Sequence, residues 1–261
     1  MTASTSSSLN YSGRLARKGV LLEETYRVFA HWQAGLDLRQ NLQFIRAHNP
    51  VGAPNAAWLR EVTTTLSSRF SGGPSIEPLV VLAQGGFPLE AWKFCLLWHL
   101  GCTDGLYHDF AAQFLFPKVQ QGIAVFTTDD VLPFVREWVA RGVFAEPLSD
   151  YGVRRMGRDL LRIAAAFGFV QGSARREVSH PAIPEAAILY ALHDLVESGL
   201  ASTAVIESER WRLFLMTPGQ VEHELLNLHQ FRRLHYEGAG SIRQLSLPHP
   251  SLKAFAQSLV P

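Results

Sequence analysis

Three stretches near the N-terminus repeat apolar residues three and four apart, and this spacing commits that part of the chain to helices. VLLEETYRVFAHWQAG (20–35) stops at Gly35, and DLRQNLQFIRAH (37–48) opens on an aspartate able to cap it and ends before Asn49-Pro50. NAAWLREVTTTLSSRF (55–70) is closed by SGGPS. Connections this short predict a helix-turn-helix-like unit over 20–70, or a small helical bundle.

The pattern continues along the chain. Apolar helices are expected at about 76–84 and 89–100, then over DGLYHDFAAQFLFPKV (104–119) and TTDDVLPFVREWVARG (127–142), the last with a Thr cap and an acidic first turn. QGSARREVSHPAIP (171–184) reads as a hairpin or wing, and PEAAILYALHDLVESG (184–199) as a helix. ERWRLFLM (209–216) alternates enough for a short strand. PGQVEHELLNLHQF predicts a helix, RLHYEGAGSIRQLSL two strands joined across Glu-Gly-Ala-Gly, and PSLKAFAQSL a closing helix.

Composition limits the function classes. A hydrophobic share of 47% supports a full core, and a net charge of +1 excludes a histone-like basic field, so any polyanion binding must come from local clusters. Cys95 and Cys102 make no disulfide framework and suit a reducing compartment. The opening MTASTSSSLN lacks the apolar core of a secretory signal and reads as a solvated tail, while the basic, acid-poor GRLARKG after it has a transit-peptide look. The most apolar run, 79–101, is broken by Gly-Gly, Pro88, Glu90 and Lys93 and does not span a bilayer, so a cytoplasmic protein is expected.

One local cluster stands out in SDYGVRRMGRDLLRIAAAFGFV (149–170). On a helical wheel Arg155, Arg158 and Arg162 fall within about 100° of Arg154, while Met156, Leu160, Ile163, Ala164 and Phe167 gather on the far side. Solvated helices usually interleave acids at these spacings, yet Asp159 is the only acid available, and it serves Arg155 or Arg162. Adding Arg175 and Arg176 from the wing gives six arginines against one aspartate over 151–176. A helix followed by a basic hairpin is how winged-helix modules meet the major groove and the flanking backbone. The bland reading is internal neutralisation, for instance by the TTDD start.

A second candidate surface is the outer face of 55–70, where Arg60, Thr64 and Ser67 point away from the buried stripe of Trp58, Leu59, Val62, Leu66 and Phe70. A third is the basic arm at Arg14, Arg17 and Lys18. Cys95, His99 and Cys102 spell C-x3-H-x2-C, but residues seven apart lie about 10 Å apart along a helix, which argues for core rather than metal. HELLNLH (223–229) lacks the H-E-x-x-H spacing. No phosphate-binding loop, nucleophile elbow or dinucleotide fingerprint occurs, so neither catalysis nor a cofactor is expected.

In order and spacing, YSGRL and GVLLEET (11–25), the helix ending at Arg69-Phe70, LYHDFAAQFL, RDLLRIAAAFGFV, SERWRLFLMTPGQVEHEL (208–225) and PHPSLKAFAQ resemble the BrxA family of BREX phage-defence systems. The resemblance implies a mainly helical protein with helix-turn-helix or winged-helix character that binds double-stranded DNA beside other BREX proteins, and a likeness to NusB-type RNA-binding factors. The expected architecture is therefore mainly α: a tail over 1–10, a helical N-terminal portion over 11–146, and a winged-helix-like C-terminal portion with short β-strands over 147–261. The expected function is non-catalytic, phosphate-directed binding of double-stranded DNA with weak sequence specificity. A protein–protein adaptor in a defence complex and an RNA-binding protein are the alternatives.

Overall fold

The computed structural model describes residues 9, 11–144, 146–239 and 242–261. The tail predicted over 1–10 lies almost wholly outside them, as does part of the Glu-Gly-Ala-Gly turn. The N-terminal half runs through α1 (Arg14–Lys18), α2 (Leu22–Ala30), α3 (Leu38–His48), α4 (Ala56–Phe70), α5 (Glu77–Gln84) and α6 (Leu89–Gly101). Next come α7 (Gly105–Asp109), a π-helical turn (Phe110–Leu115), α8 (Phe116–Gln120), β1 (Val125–Phe126) and α9 (Thr128–Ala140). The remainder is α10 (Asp150–Ala166), β2 (Val170–Gln171), β3 (Arg176–Val178), α11 (Glu185–Glu197), α12 (Ser202–Ile206), a 3-10 turn (Glu209–Phe214), α13 (Pro218–Gln230), β4 (His235–Ala239), β5 (Ile242–Ser246) and α14 (Leu252–Ser258). The protein is mainly helical, with two small antiparallel sheets.

Local chemistry sets most of these boundaries. Asp37 caps α3 and forms a reciprocal capping box with Gln40; Thr127 and Asp130 do the same for α9. Two stretches differ from the sequence reading. ERWRLFLM is not a strand: Ser208 caps a 3-10 turn, and Trp211, Leu213 and Phe214 are all buried, so the chain coils to bury neighbours that a pleat would send to opposite faces. The expected helix over 104–119 carries a π turn ahead of Pro117, which has no N–H for the regular bond to the residue four before it. The helix α12 has no counterpart in the sequence reading.

The core is one continuous apolar cluster centred on α6. Every residue of α6 from Phe94 to Gly101 is buried, and it packs against α5, α7, α11 and the 3-10 turn, as a helix apolar all round must. In the first sheet the strand order is β1-β3-β2, with Phe126 opposite Arg176 and Val170 opposite Val178. Gly172 turns β2 into β3 at φ 101°, where a Cβ would lie 2.4 Å from the Arg175 carbonyl oxygen; no other residue fits. The division drawn at residue 146 falls between α9 and α10, which pack on each other. Among the described residues no helix is long and apolar enough to cross a membrane.

Candidate nucleic-acid interface

The wheel drawn for the arginine-rich stretch describes α10 well. Ser149 caps it by accepting from Gly152 N at 3.2 Å, and Val153, Met156, Leu160, Ile163 and Ala164 are buried against α9 and α1. On the other side the side chains of Arg154, Arg155, Arg158 and Arg162 remain 47% to 62% exposed. Asp159 sits beneath them with its side chain only 3% exposed, 3.6 Å from Arg155 Nε, 3.9 Å from Arg158 Nε and 3.4 Å from Arg162 Nη2. Arg154 reaches across to Asp129 in the acidic first turn of α9, at 2.7 Å. Two carboxylates thus meet four guanidinium groups, so the face keeps a net positive charge.

The wing divides its two arginines. Arg175 is exposed and forms no ion pair among the described residues. Arg176 is half-buried in β3, and burial together with the neighbouring Arg162 charge pulls its pKa below the ordinary value. On α4, Arg60 is exposed, Thr64 accepts from Arg46 Nη2 at 2.9 Å, and Ser67 is half-buried.

The basic arm is a short helix wedged between α4 and α10. Arg14 donates to Ser68 Oγ, Arg17 to the Ser12 carbonyl at 3.2 Å, and Lys18 pairs with Glu61 at 2.7 Å. Gly13 starts α1 at φ 64°, and a Cβ there would press on Met156 of α10 at 3.3 Å. Just before it, the Tyr11 ring lies over Gly105, and its hydroxyl donates to Asp109 Oδ2 at 3.2 Å.

This docking brings together residues from all three candidate surfaces. Arg14, Arg17, Lys18, Thr64 and Arg155 line one open cavity of about 880 Å³ between α1, α4 and the α6–α7 junction. Arg154, Arg158, Arg162, Arg175, Arg176, Arg60 and Ser67 lie outside it. Two lining residues escaped the sequence reading. Arg69 is mostly buried and donates to the carbonyls of Gly19 and Val20; burial lowers its pKa to about 10. Burial raises the Asp104 carboxyl to about 6, a rise limited by hydrogen bonding from the Tyr107 N–H and by the Arg69 charge.

Tyr151 was also missed. It is 71% exposed, and the same wheel extended one turn toward the N-terminus puts it at about 60°, in the middle of the arginines. The possible metal motif is core: burial pushes the Cys95 thiol up, Cys102 up to about 12, and His99 down to about 4. Among the described residues no three His, Cys, Asp or Glu side chains are grouped to hold a metal ion. His229 Nδ1 accepts from Tyr236 N at 3.1 Å and so belongs to the packing of β4 on α13. Comparison with known proteins finds no match among curated proteins, whereas the model of one family, BrxA, matches residues 9–193.

Proposed function

The chain belongs to the BrxA family of BREX phage-defence components, and from that premise we propose that it is a non-catalytic protein that binds double-stranded DNA. The observation that carries this reading is the α10 face, four arginines 47% to 62% exposed on a helix followed directly by a β-hairpin whose tip presents Arg175. The run β1, α9, α10, β2, β3 with sheet order β1-β3-β2 supports a winged-helix reading, in which α10 would take the place of the recognition helix. Arg154 and Arg158 would reach the duplex from α10 and Arg175 from the wing, while Arg162 and Arg176 add to the field behind them. Guanidinium–phosphate contacts position a duplex without reading its bases, so specificity is weak.

The test is fluorescence anisotropy of a labelled duplex over a salt series, with wild type and Arg154→Ala/Arg158→Ala/Arg175→Ala. Weaker binding and a salt slope smaller by about two to three units are expected. An unchanged slope would remove this face from the DNA site. One observation favours a second reading in that event: Asp129 already pairs with Arg154, so carboxylates fit this face, and an acidic patch on another BREX protein would dock there.

A further inference from the structure

We propose that the cavity between α1, α4 and the α6–α7 junction binds a free phosphorylated small molecule of nucleotide size, at a site beside the duplex-binding face with which it shares Arg155. Its volume of about 880 Å³ suits such a ligand, since small-molecule sites run to roughly 300–1,000 Å³. Its shape does not suit a duplex, whose phosphates lie on a convex surface and are met by helix faces and wing tips.

The charges favour more than one negative group. Arg14, Arg17, Lys18, Arg69 and Arg155 line the cavity, against the single carboxyl of Asp104. Lys18 has Glu61, and Arg155 shares Asp159. Arg14, Arg17 and Arg69 form no ion pair among the described residues; they are held by the oxygens of Ser68, Ser12, Gly19 and Val20, all uncharged. Burial is costly only for Arg69, whose charge Asp104 partly offsets; Arg14 and Arg17 are exposed and add like charge to the same wall. A polyphosphate would neutralise these like charges and meet guanidinium groups already held in place by those hydrogen bonds. Thr64 and Thr103 add hydroxyls to the wall. Leu15 and Leu100 supply apolar surface for the uncharged end of the ligand.

Isothermal titration of the full chain with ATP, inorganic tripolyphosphate and adenosine tests this, using wild type, Arg17→Ala/Arg155→Ala and Arg158→Ala/Arg175→Ala. Duplex anisotropy is run on the same three proteins. ATP and tripolyphosphate are expected to saturate one site per chain, adenosine to bind at least tenfold more weakly, and the Arg17/Arg155 variant to lose at least tenfold in ATP affinity. The Arg158/Arg175 variant is expected to keep wild-type ATP affinity. Absence of saturable binding of ATP and tripolyphosphate to the wild type overturns the proposal whatever the variants do. Equal losses in the two variants also overturn it, because they would trace the anion to the duplex face. If Arg158→Ala/Arg175→Ala leaves duplex binding intact while ATP still saturates the cavity, the DNA reading fails and this one stands.

Discussion

Arg162 Nη2 donates a hydrogen bond to the main-chain oxygen of Ala16, 3.1 Å away across 146 residues of sequence. The last arginine of the α10 face is thus also a latch on the N-terminal arm, and the charged face and the cavity share a wall. Moving the arm alters both.

The arm is held at its other end by Tyr11, whose ring lies over Gly105. A Cβ on Gly105 would stand 2.6 Å from the ring carbons Cε2 and Cζ. Alanine in a helix is ordinarily favoured over glycine by up to about 1 kcal/mol. Here the clash dominates, and Gly105→Ala is expected to lower stability by about 1–3 kcal/mol in urea unfolding. Limited proteolysis should cut the arm near residues 11–19 faster than in wild type. A variant as stable as the wild type, with the arm equally protected, would show that Tyr11 does not anchor it.

Asp159 touches three arginines from beneath with only 3% of its side chain exposed. Asp159→Asn keeps the shape and removes the charge. Stability is expected to fall by about 1–3 kcal/mol, the usual cost of stripping a partner from a charged hydrogen-bonding group. Duplex affinity at fixed salt should rise, because the face loses its nearest anion. A variant with reduced stability but unchanged affinity would mean that the duplex does not feel this face.

What was legible from sequence is what depends on neighbours a few residues apart. Asp37 is legible as the cap of α3, and the period of residues 154–167 separates the arginine face of α10 from its buried face. Nothing local tells that ERWRLFLM coils, since that follows from Trp211, Leu213 and Phe214 all finding core partners, Trp211 with its Nε1 donating to the Val205 oxygen. The arm was legible as basic but not as docked, because Tyr11 meets a glycine 94 positions away. Arg69 stands at a helix end in the sequence, and its hydrogen bonds to the carbonyls of Gly19 and Val20 depend on where the arm docks. Tyr151 stands one turn before Arg154, outside the stretch 154–167 over which the wheel separates charged from buried residues.

Acid stability should show two opposed contributions. Burial lowers His99 from 6.5 to about 4, so its contribution is full above pH 6.5 and is lost as pH falls through about 4. Burial raises Asp104 from 3.8 to about 6, so its contribution is full below pH 3.8 and is lost as pH rises through about 6. Between pH 4 and 6 the two largely cancel. Asp104→Asn keeps the acceptor for Tyr107 N at the start of α7 and leaves only the histidine of the two to titrate. Between pH 6.5 and 4 the variant should lose about 3 kcal/mol more than wild type, followed by urea unfolding at each pH. Parallel profiles would show that Asp104 titrates normally in the folded protein.

Arg158 and Arg162 stand on the same face but differ in their contacts, and single substitutions should separate them. Arg158 Nε lies 3.9 Å from Asp159, a loose pair at an exposed position, so Arg158→Ala should leave stability within about 0.5 kcal/mol of wild type. Its effect should fall on DNA, with a salt slope smaller by about one unit. Arg162→Ala also removes the bond to Ala16, at a cost of about 0.5–1.5 kcal/mol. It should loosen the arm to proteases as Gly105→Ala does. Equal losses of stability in the two variants would deny Arg162 the latch. Equal arm protection in both would mean that the arm's other contacts, from Tyr11 to the bonds of Arg69 to Gly19 and Val20, hold it without Arg162.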